Sequence, residues 1–285
     1  MTLRSTESLA GRTMIMSGGS RGIGLEIAKR AAADGANITL IAKTDTPHPK
    51  LPGTIHTAAA ELEAAGGTVL KVVGDVRIDS QVEHAVQQTI DHFGDIDIVV
   101  NNASAIDLSL SDEISMKRYD LMQDINCRGS FLLAKLCLPA LRKSAGNGRN
   151  PHILTLSPPL NLNPKWAGRM LAYTIAKYGM SLTTLGLAEE LRTDGIGVNS
   201  LWPRTTIASA AVQNVLGGDE MVANSRTPAI MADAAYAVLT SPGTETTGNF
   251  FIDDDLLAAR GITDFDPYRV VGGDDALQLD LFLDA

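Results

Sequence analysis

Thiols and other metal ligands are scarce in this chain of 285 residues. Its two cysteines, Cys127 and Cys137, lie ten positions apart in one predicted helix, a spacing that argues against a mutual disulfide or a shared metal site. The five histidines show no pairing typical of ligands: His48, His56, His84, His92 and His152. No metal centre is therefore predicted, and the cysteine usage fits a reducing compartment.

Long apolar runs and an excess of basic residues are missing as well. No run reaches the roughly 18 residues that a membrane span needs. The start MTLRSTESLAGRT has neither the basic n-region nor the apolar h-region of a signal peptide. The net charge of −9 is the reverse of what a phosphate backbone attracts. We therefore expect a soluble, cytoplasmic protein with no membrane span and no nucleic-acid partner.

The negative charge is concentrated near the C-terminus, where residues 253–285 hold nine aspartates and two arginines. Such charge runs are usually solvated. The ending LQLDLFLDA, however, alternates leucines with polar or aromatic residues, a pattern that favours docking. We predict one domain over residues 1–285 with 254–285 as an acidic extension, which is either solvated, closed over a pocket or in contact with a neighbouring subunit.

Short apolar runs alternate with amphipathic segments along the chain. The runs are strand-like in length and β-branched content and cover residues 13–17, 37–42, 68–73, 96–101, 152–157, 197–202 and 249–253. Helical patterns lie between them, near 22–34, 54–66, 79–93, 115–143, 171–193 and 228–239. The proline-rich segment 44–53 is predicted to be a surface loop. This repetition predicts an α/β fold with a doubly wound parallel sheet and helices on both faces.

A glycine turn, SGGSRGIG at residues 17–24, follows the first strand directly. Gly18, Gly22 and Gly24 would allow a tight turn and a close approach of the backbone to a diphosphate at the N-terminus of the next helix. An ordinary tight turn is the alternative. The position of the turn in the first strand–helix unit favours the nucleotide.

Coenzyme choice is expected to depend on the end of the second strand, where an acidic residue would bind the ribose hydroxyls of NAD. Lys43 stands there, and the first acid is Asp45. Lys43 and Arg21 could pair with a 2′-phosphate, which predicts NADP(H), with NAD(H) as a possible second coenzyme. The alternative is that both are solvated surface cations.

The stretch AYTIAKYG, residues 172–179, sets Tyr173 and Lys177 one helical turn apart. A phenol has a pKa of about 10 and gives up its proton reluctantly near neutrality. A cation at about 4 Å would stabilise the phenolate by up to roughly 4 kcal/mol at an effective dielectric of about 20. The pair therefore indicates a proton-active tyrosine, and a surface contact between neighbouring helical turns is the alternative for an isolated pair.

These motifs resemble the short-chain dehydrogenases/reductases. SGGSRGIG is similar to that family's T-G-x-x-x-G-I-G, NNAS at 101–104 to its N-N-A-G, and YTIAK to its Y-x-x-x-K, in the family's order. Four further segments, TDTPHPKLPGTI, SPPLNLNP, YTIAKYGMS and LWPRT, resemble the hydroxysteroid dehydrogenase-like protein 2 branch, whose larger members carry a sterol-carrier domain. No such domain is expected before Ala285. The resemblance implies a Rossmann-type sheet of seven strands in the order 3-2-1-4-5-6-7.

The resemblance also implies roles for individual residues. Tyr173 would be the acid/base, Lys177 would hold the nicotinamide ribose, and Asn126 would anchor a water of the proton relay. Residues implied to bind the coenzyme, in addition to Tyr173 and Lys177, are Gly18, Ser20, Arg21, Gly22, Ile23, Gly24, Lys43, Asp75, Asn101, Ala103, Pro203, Thr205 and Thr206. For Thr205 and Thr206, a plain loop is an equal alternative.

The substrate-orienting serine departs from the family pattern. The usual position, 13 residues before the tyrosine, is Leu160, whereas Ser157 lies 16 before and ends a strand-like run. We predict that Ser157 is the catalytic serine, with Asn161 or Asn163 as substitute donors. Seven residues could form an apolar pocket, or could simply belong to a core or interface: Leu160, Leu162, Trp166, Met170, Trp202, Ile207 and Met221.

The sequence thus predicts an NADP(H)-dependent oxidoreductase that interconverts a small-molecule carbonyl and an alcohol, with a lipid-like or steroid-like substrate if the apolar pocket exists. By resemblance it would be a homodimer or homotetramer assembled through residues 115–143 and 171–193. A cofactor-binding regulatory or lipid-handling protein with little turnover is the alternative, and a lyase or epimerase on the same fold is a third possibility.

Overall fold

The computed structural model describes residues 8–47, 53–272 and 277–284, so residues 48–52 of the predicted surface loop lie outside it. Within these ranges, seven strands form one sheet in which every pair of neighbours is parallel. They are β1 (Thr13–Ser17), β2 (Asn37–Ala42), β3 (Thr68–Val73), β4 (Ile98–Asn101), β5 (His152–Thr155), β6 (Gly197–Trp202) and β7 (Phe250–Ile252). The order is β3-β2-β1-β4-β5-β6-β7, which confirms the predicted fold class and topology.

Helices pack on both faces of the sheet. In the described ranges they are α1 (Gly22–Ala32), α2 (Ile55–Ala64), α3 (Asp79–Phe93), α4 (Met116–Met122), α5 (Gly129–Gly146), α6 (Pro164–Arg169), α7 (Leu171–Glu190), α8 (Gly218–Ala223), α9 (Ala229–Leu239) and α10 (Asp253–Ala259). The predicted helix 115–143 is interrupted by a π-helical turn, Gln123–Arg128, a distortion that is frequent at functional sites. None of the described helices combines the length and apolar character that a membrane crossing requires.

The central strands are buried on both faces, as crossover helices demand. Successive side chains of a strand point to opposite faces. Met14 and Met16 of β1 therefore pack in the apolar layer that contains α1 and α9, whereas Ile15 packs in the layer that contains α3 and α5. Because all strands run in the same direction, their carboxyl ends meet at one edge, and a ligand is expected where the order reverses between β1 and β4.

The described part of the acidic extension packs against the rest of the domain. It begins inside α10, where Asp253 accepts a hydrogen bond from the backbone N–H of Arg204 (2.9 Å) and Asp254 pairs with Arg226 (2.9 Å). Residues 277–284 then return to the loop that follows β6. Phe282, rather than the alternating leucines, is the completely buried anchor of this segment. It packs against four aromatic rings, those of Trp166, Tyr173, Tyr178 and Trp202.

Candidate active site

The glycine turn after β1 opens on a cavity of about 490 Å³. Gly18 and Gly22 have φ angles of 76° and 57°, in the left-handed region that favours glycine. A Cβ on Gly18 would lie 2.9 Å from the Cα of Ala103, so a side chain there would strike the chain that follows β4. No side chain caps the first turn of α1, whose N-terminus lies at this cavity. The cradle therefore fits a diphosphate, which backbone N–H groups and the helix dipole would bind.

Most of the predicted coenzyme residues line this cavity. They are Gly18, Ser20, Arg21, Gly22, Ile23, Lys43, Asp75 and Ala103. Gly24 instead packs beneath the turn against Asn102, whose amide donates to the carbonyl of Gly18 (2.8 Å). Asn101 is completely buried in β4, and the structure gives its Oδ1 atom no partner among the described residues.

The charged residues near the end of β2 form a cationic rim on this cavity, with Lys43 as its cation. Lys43 is exposed at the end of β2 and lines the cavity. The nearby acid Asp45 is paired with His56 at 2.6 Å. The Asp75 carboxylate accepts hydrogen bonds from the backbone N–H and from the guanidinium of Arg77, and this guanidinium lowers the pKa of the carboxyl, with a smaller contribution from Lys43. Of these acids, only Asp75 lines the cavity, and it is already neutralised by Arg77.

A second cavity of about 180 Å³ contains both Tyr173 and Lys177. Because it contains the predicted catalytic pair, this space is called the catalytic cavity below. It shares lining residues with the glycine-turn cavity, among them Asn102 and Ser104. Both side chains come from α7 and are only 4% and 3% exposed. The Lys177 ammonium donates to the carbonyl of Leu156 (2.8 Å) and lies 5.0 Å from the ring centroid of Trp202.

Burial dominates the protonation of this pair. It raises the pKa of the Tyr173 phenol above its ordinary value, Asp280 raises it further, and a hydrogen bond with Ser104 lowers it. Burial lowers the pKa of Lys177, and Asp280 opposes that change. The sequence argument considered only the cation, which would lower the pKa of the phenol. Since burial acts in the opposite direction, Tyr173 holds its proton in the ligand-free protein.

The structure does not bring Ser157 or its predicted substitutes into the catalytic cavity. The Ser157 hydroxyl is completely buried and hydrogen-bonds to that of Ser200 (2.8 Å), which donates to Thr184 (2.9 Å). Asn161 donates to the carbonyl of Phe282 (3.0 Å) and to Asp284, and Asn163 caps α6. A strand-end serine can point toward either side of the chain, and here its hydroxyl points to Ser200. The catalytic role of Ser157 stays a prediction.

Replacing Ser157 with alanine is therefore expected to change kcat by less than about threefold. The free energy of unfolding should fall by about 1 kcal/mol, because the Ser200 hydroxyl loses a buried hydrogen-bond partner. Steady-state kinetics and urea denaturation of the variant measure the two quantities. Ser200→Ala, which breaks the same hydrogen bond from the other side, is the matched control. A loss of kcat of a hundredfold or more in Ser157→Ala alone would return the serine to the catalytic site.

The other predicted residues differ in whether they line the catalytic cavity. Asn126, in the π-helical turn, binds the backbone of Ala105 through both ends of its amide (2.7 and 2.9 Å) and thus holds the segment next to Ser104. Pro203 does line the catalytic cavity. Thr205 and Thr206 do not: Thr206 hydrogen-bonds to Ser225 (2.7 Å).

The predicted apolar pocket is divided between two spaces. Trp202 and Ile207 line the catalytic cavity, whereas Trp166, Met170 and Met221 line a separate cavity of about 490 Å³, here called the outer cavity. Leu162 is 85% exposed, and Leu160 lines neither space.

Sequence reasoning missed four polar residues of the catalytic cavity: Asn102, Ser104, Ser209 and Asp280. Ser104 had a visible signal, since it replaces the final glycine of N-N-A-G and directly follows β4. Asp280 had none beyond its place in an alternating segment, because its contact with the site depends on how the C-terminal segment folds back.

A strand order of 3-2-1-4-5-6-7, a glycine turn in the first unit and a buried tyrosine–lysine pair on α7 define the class of the short-chain dehydrogenases. The family model described as "short chain dehydrogenase" matches residues 12–216, and the chain therefore belongs to this family.

Among individual relatives, the chain is 55% identical to hydroxysteroid dehydrogenase-like protein 2 of Danio rerio and 51% identical to the Homo sapiens protein of that name. Each alignment covers 99% of this chain and 66% of the relative, so the chain spans slightly less than two thirds of their length.

Two crystal structures are also similar. A short chain dehydrogenase from Mycobacterium thermoresistibile is 56% identical with a TM-score of 0.90, covering 98% of this chain and 97% of that one. A proposed dehydrogenase from Xanthomonas campestris is 53% identical with a TM-score of 0.93, covering 98% and 100%.

Proposed function

We propose that this chain is an NADP(H)-dependent oxidoreductase that interconverts a carbonyl and an alcohol. The supporting observation is that Tyr173 and Lys177, one turn apart on α7, both line a cavity that shares lining residues with the glycine-turn cavity. NADPH, when bound, supplies the hydride. Screening aldehydes and ketones of graded chain length against the absorbance of the reduced coenzyme tests the proposal, and no consumption with any carbonyl would refute it.

The protein's own residues supply the proton. Tyr173 holds its proton because burial raises the pKa of the phenol, and it can donate that proton to the developing alkoxide. Lys177 compensates the charge of the phenolate left behind. Ser104 hydrogen-bonds to the phenol and favours the ionised form, so it takes the supporting position that was predicted for Ser157. Asn126 keeps Ser104 in place through the backbone of Ala105.

The substrate is proposed to be a lipid-like or steroid-like carbonyl. The outer cavity has mostly apolar walls, to which Trp166, Met170 and Met221 contribute, and it lies beside the catalytic cavity. Two cations, Lys165 and Arg169, also line it. The name of the vertebrate relatives points to the same chemistry.

The preference for NADPH or NADH should depend on the cationic rim of the glycine-turn cavity. We expect the dissociation constant of NADPH to be at least about tenfold lower than that of NADH, because Lys43 would pair with the 2′-phosphate. Lys43→Ala should weaken NADPH binding by about tenfold and leave NADH binding unchanged, since only the first coenzyme carries that phosphate. Fluorescence titration with both coenzymes measures this, and NADH serves as the internal control. Tighter binding of NADH by the unchanged protein would refute the NADP(H) assignment.

The domain organisation, the cellular location and the oligomeric state are proposals as well. We propose a single domain with its acidic extension, acting in the cytoplasm as a homodimer or homotetramer. Exposed apolar side chains on α5 and α7 favour such an assembly: Phe131, Leu171, Ile175, Leu182 and Leu185. A lipid-handling protein with little turnover is the second candidate, favoured by the position of Ser157 away from the cavity.

A further inference from the structure

The C-terminal segment places a carboxylate in the catalytic cavity. Asp280 lines this cavity together with Tyr173 and Lys177. It also lines the outer cavity, as does its neighbour Leu281, so these two residues stand between the two spaces. A ligand that reached from Tyr173 toward the outer cavity would therefore lie beside Asp280.

Asp280 is held in this position by the main chain around it. Its N–H donates to the carbonyl of Arg204 (2.9 Å), and the indole of Trp202 donates to the carbonyl of Leu281 (3.0 Å). The N–H of Leu281 donates to the Asp280 carboxylate itself (2.6 Å), which fixes the orientation of the head group. The buried ring of Phe282 anchors the next position. The carboxylate is thus part of a built wall.

Lys177 is the cation that acts on this carboxylate. Burial raises the pKa of Asp280 to about 7; the hydrogen bond from the N–H of Leu281 lowers it, the charge of Asp253 raises it, and Lys177 makes a smaller contribution that lowers it. In return, Asp280 raises the pKa of Lys177 against the effect of burial. Because burial moves the pKa values of both groups to about 7, the pair of Lys177 and Asp280 carries little net charge near neutral pH.

We propose that Asp280 is a specificity-determining residue: it makes the catalytic cavity accept neutral substrates and reject those with a carboxylate next to the reacting group. Asp280 is the one carboxylate among the described residues that line the catalytic cavity, so without it a protonated Lys177 would attract an anionic group of the ligand instead. This inference rests on the proposed oxidoreductase function. What it predicts directly is a difference in binding affinity between neutral and anionic ligands.

Equilibrium binding tests the inference without turnover. Octanamide and octanoate share a chain and differ by one charge, and calorimetry on the full chain at neutral pH gives their dissociation constants. We expect the wild-type protein to bind octanamide more tightly, and Asp280→Asn to shift the ratio toward octanoate by about tenfold. Asparagine keeps the Oδ1 acceptor for the N–H of Leu281 and so preserves the wall. Asp91→Asn, on the exposed side of α3, changes the net charge equally and should leave the ratio unchanged.

A second variant keeps the test valid if Asp280→Asn loosens the segment. Lys177→Gln removes the opposite charge and should disfavour octanoate by a further factor of about ten. An unchanged ratio in both variants, or no binding of either probe to the wild-type protein, overturns the inference. If the ratio shifts as expected but no carbonyl is reduced with either coenzyme, only the oxidoreductase proposal fails.

Discussion

Replacing Tyr173 with phenylalanine is expected to lower kcat at least about 100-fold, since general acid/base groups contribute roughly 10²–10⁴ in rate. The ring of Tyr173 packs against Phe282 with centroids 6.0 Å apart, and phenylalanine keeps that contact. Coenzyme binding should therefore stay within about twofold, because only the hydroxyl is removed. Steady-state turnover and coenzyme titration, measured on the same preparation, separate chemistry from binding.

Tyr178→Phe is the matched control for that substitution. Tyr178 lies on the same helix and also packs against Phe282, but its hydroxyl donates to the carbonyl of Asn161 (2.5 Å) and it does not line the catalytic cavity. Its loss should leave kcat within about threefold. If Tyr173→Phe retained near wild-type turnover, the oxidoreductase mechanism proposed for this chain would be wrong. If the wild-type protein bound NADPH but showed no turnover, the lipid-handling alternative would be favoured.

Replacing Phe282 with alanine is expected to release the C-terminal segment from the active site. The ring is completely buried, and truncating such a phenylalanine typically removes about 3–5 kcal/mol of packing free energy. Phe282 is also the one non-glycine residue with a positive φ (69°) in the described part of the chain. This conformation is strained for a bulky side chain and persists only while its surroundings hold it. Without the ring, the backbone should relax and the segment should detach.

Amide hydrogen exchange measures this release directly. The N–H groups of Gln278 and Asp280 donate to Asn224 and Arg204, so their exchange should accelerate by about 100-fold or more once the segment opens. Leu279→Ala is the control, because that side chain is 37% exposed and little packing is lost. The global free energy of unfolding should fall by less than the local loss, since the sheet does not depend on the segment. Unchanged protection at both amides in Phe282→Ala would show that the ring is not the anchor.

The fold was predictable because its signals are local and repeated. Each strand of the central sheet is a short apolar run, and each crossover is an amphipathic helix, so the order of elements reads along the chain. The boundaries that differ have a physical cause. Asp253 begins α10 instead of ending β7, because its carboxylate binds the backbone of Arg204, fifty residues away in the chain. The π-helical turn around Asn126 likewise depends on the bond between this side chain and Ala105.

The candidate site was predictable only in part. Gly18 and Gly22, and the pair Tyr173 and Lys177, lie where the motifs indicated, because short spacing within a turn or a helix determines their positions. The direction of the Ser157 hydroxyl and the roles of Asn161 and Asn163 were not predictable from spacing, since their hydrogen-bond partners come from β6 and from the C-terminal segment.

Residue pattern alone was sufficient for the parallel sheet, the glycine turn and the tyrosine–lysine pair, because backbone preferences and helical spacing act over a few residues. Only the tertiary structure decided the electrostatics of the cavity. Tyr173 and Lys177 are buried, and lie near Asp280, because segments about a hundred residues apart in the chain pack together. Protonation depends on the dielectric surroundings and on nearby charges, and neither is encoded in the order of neighbouring residues.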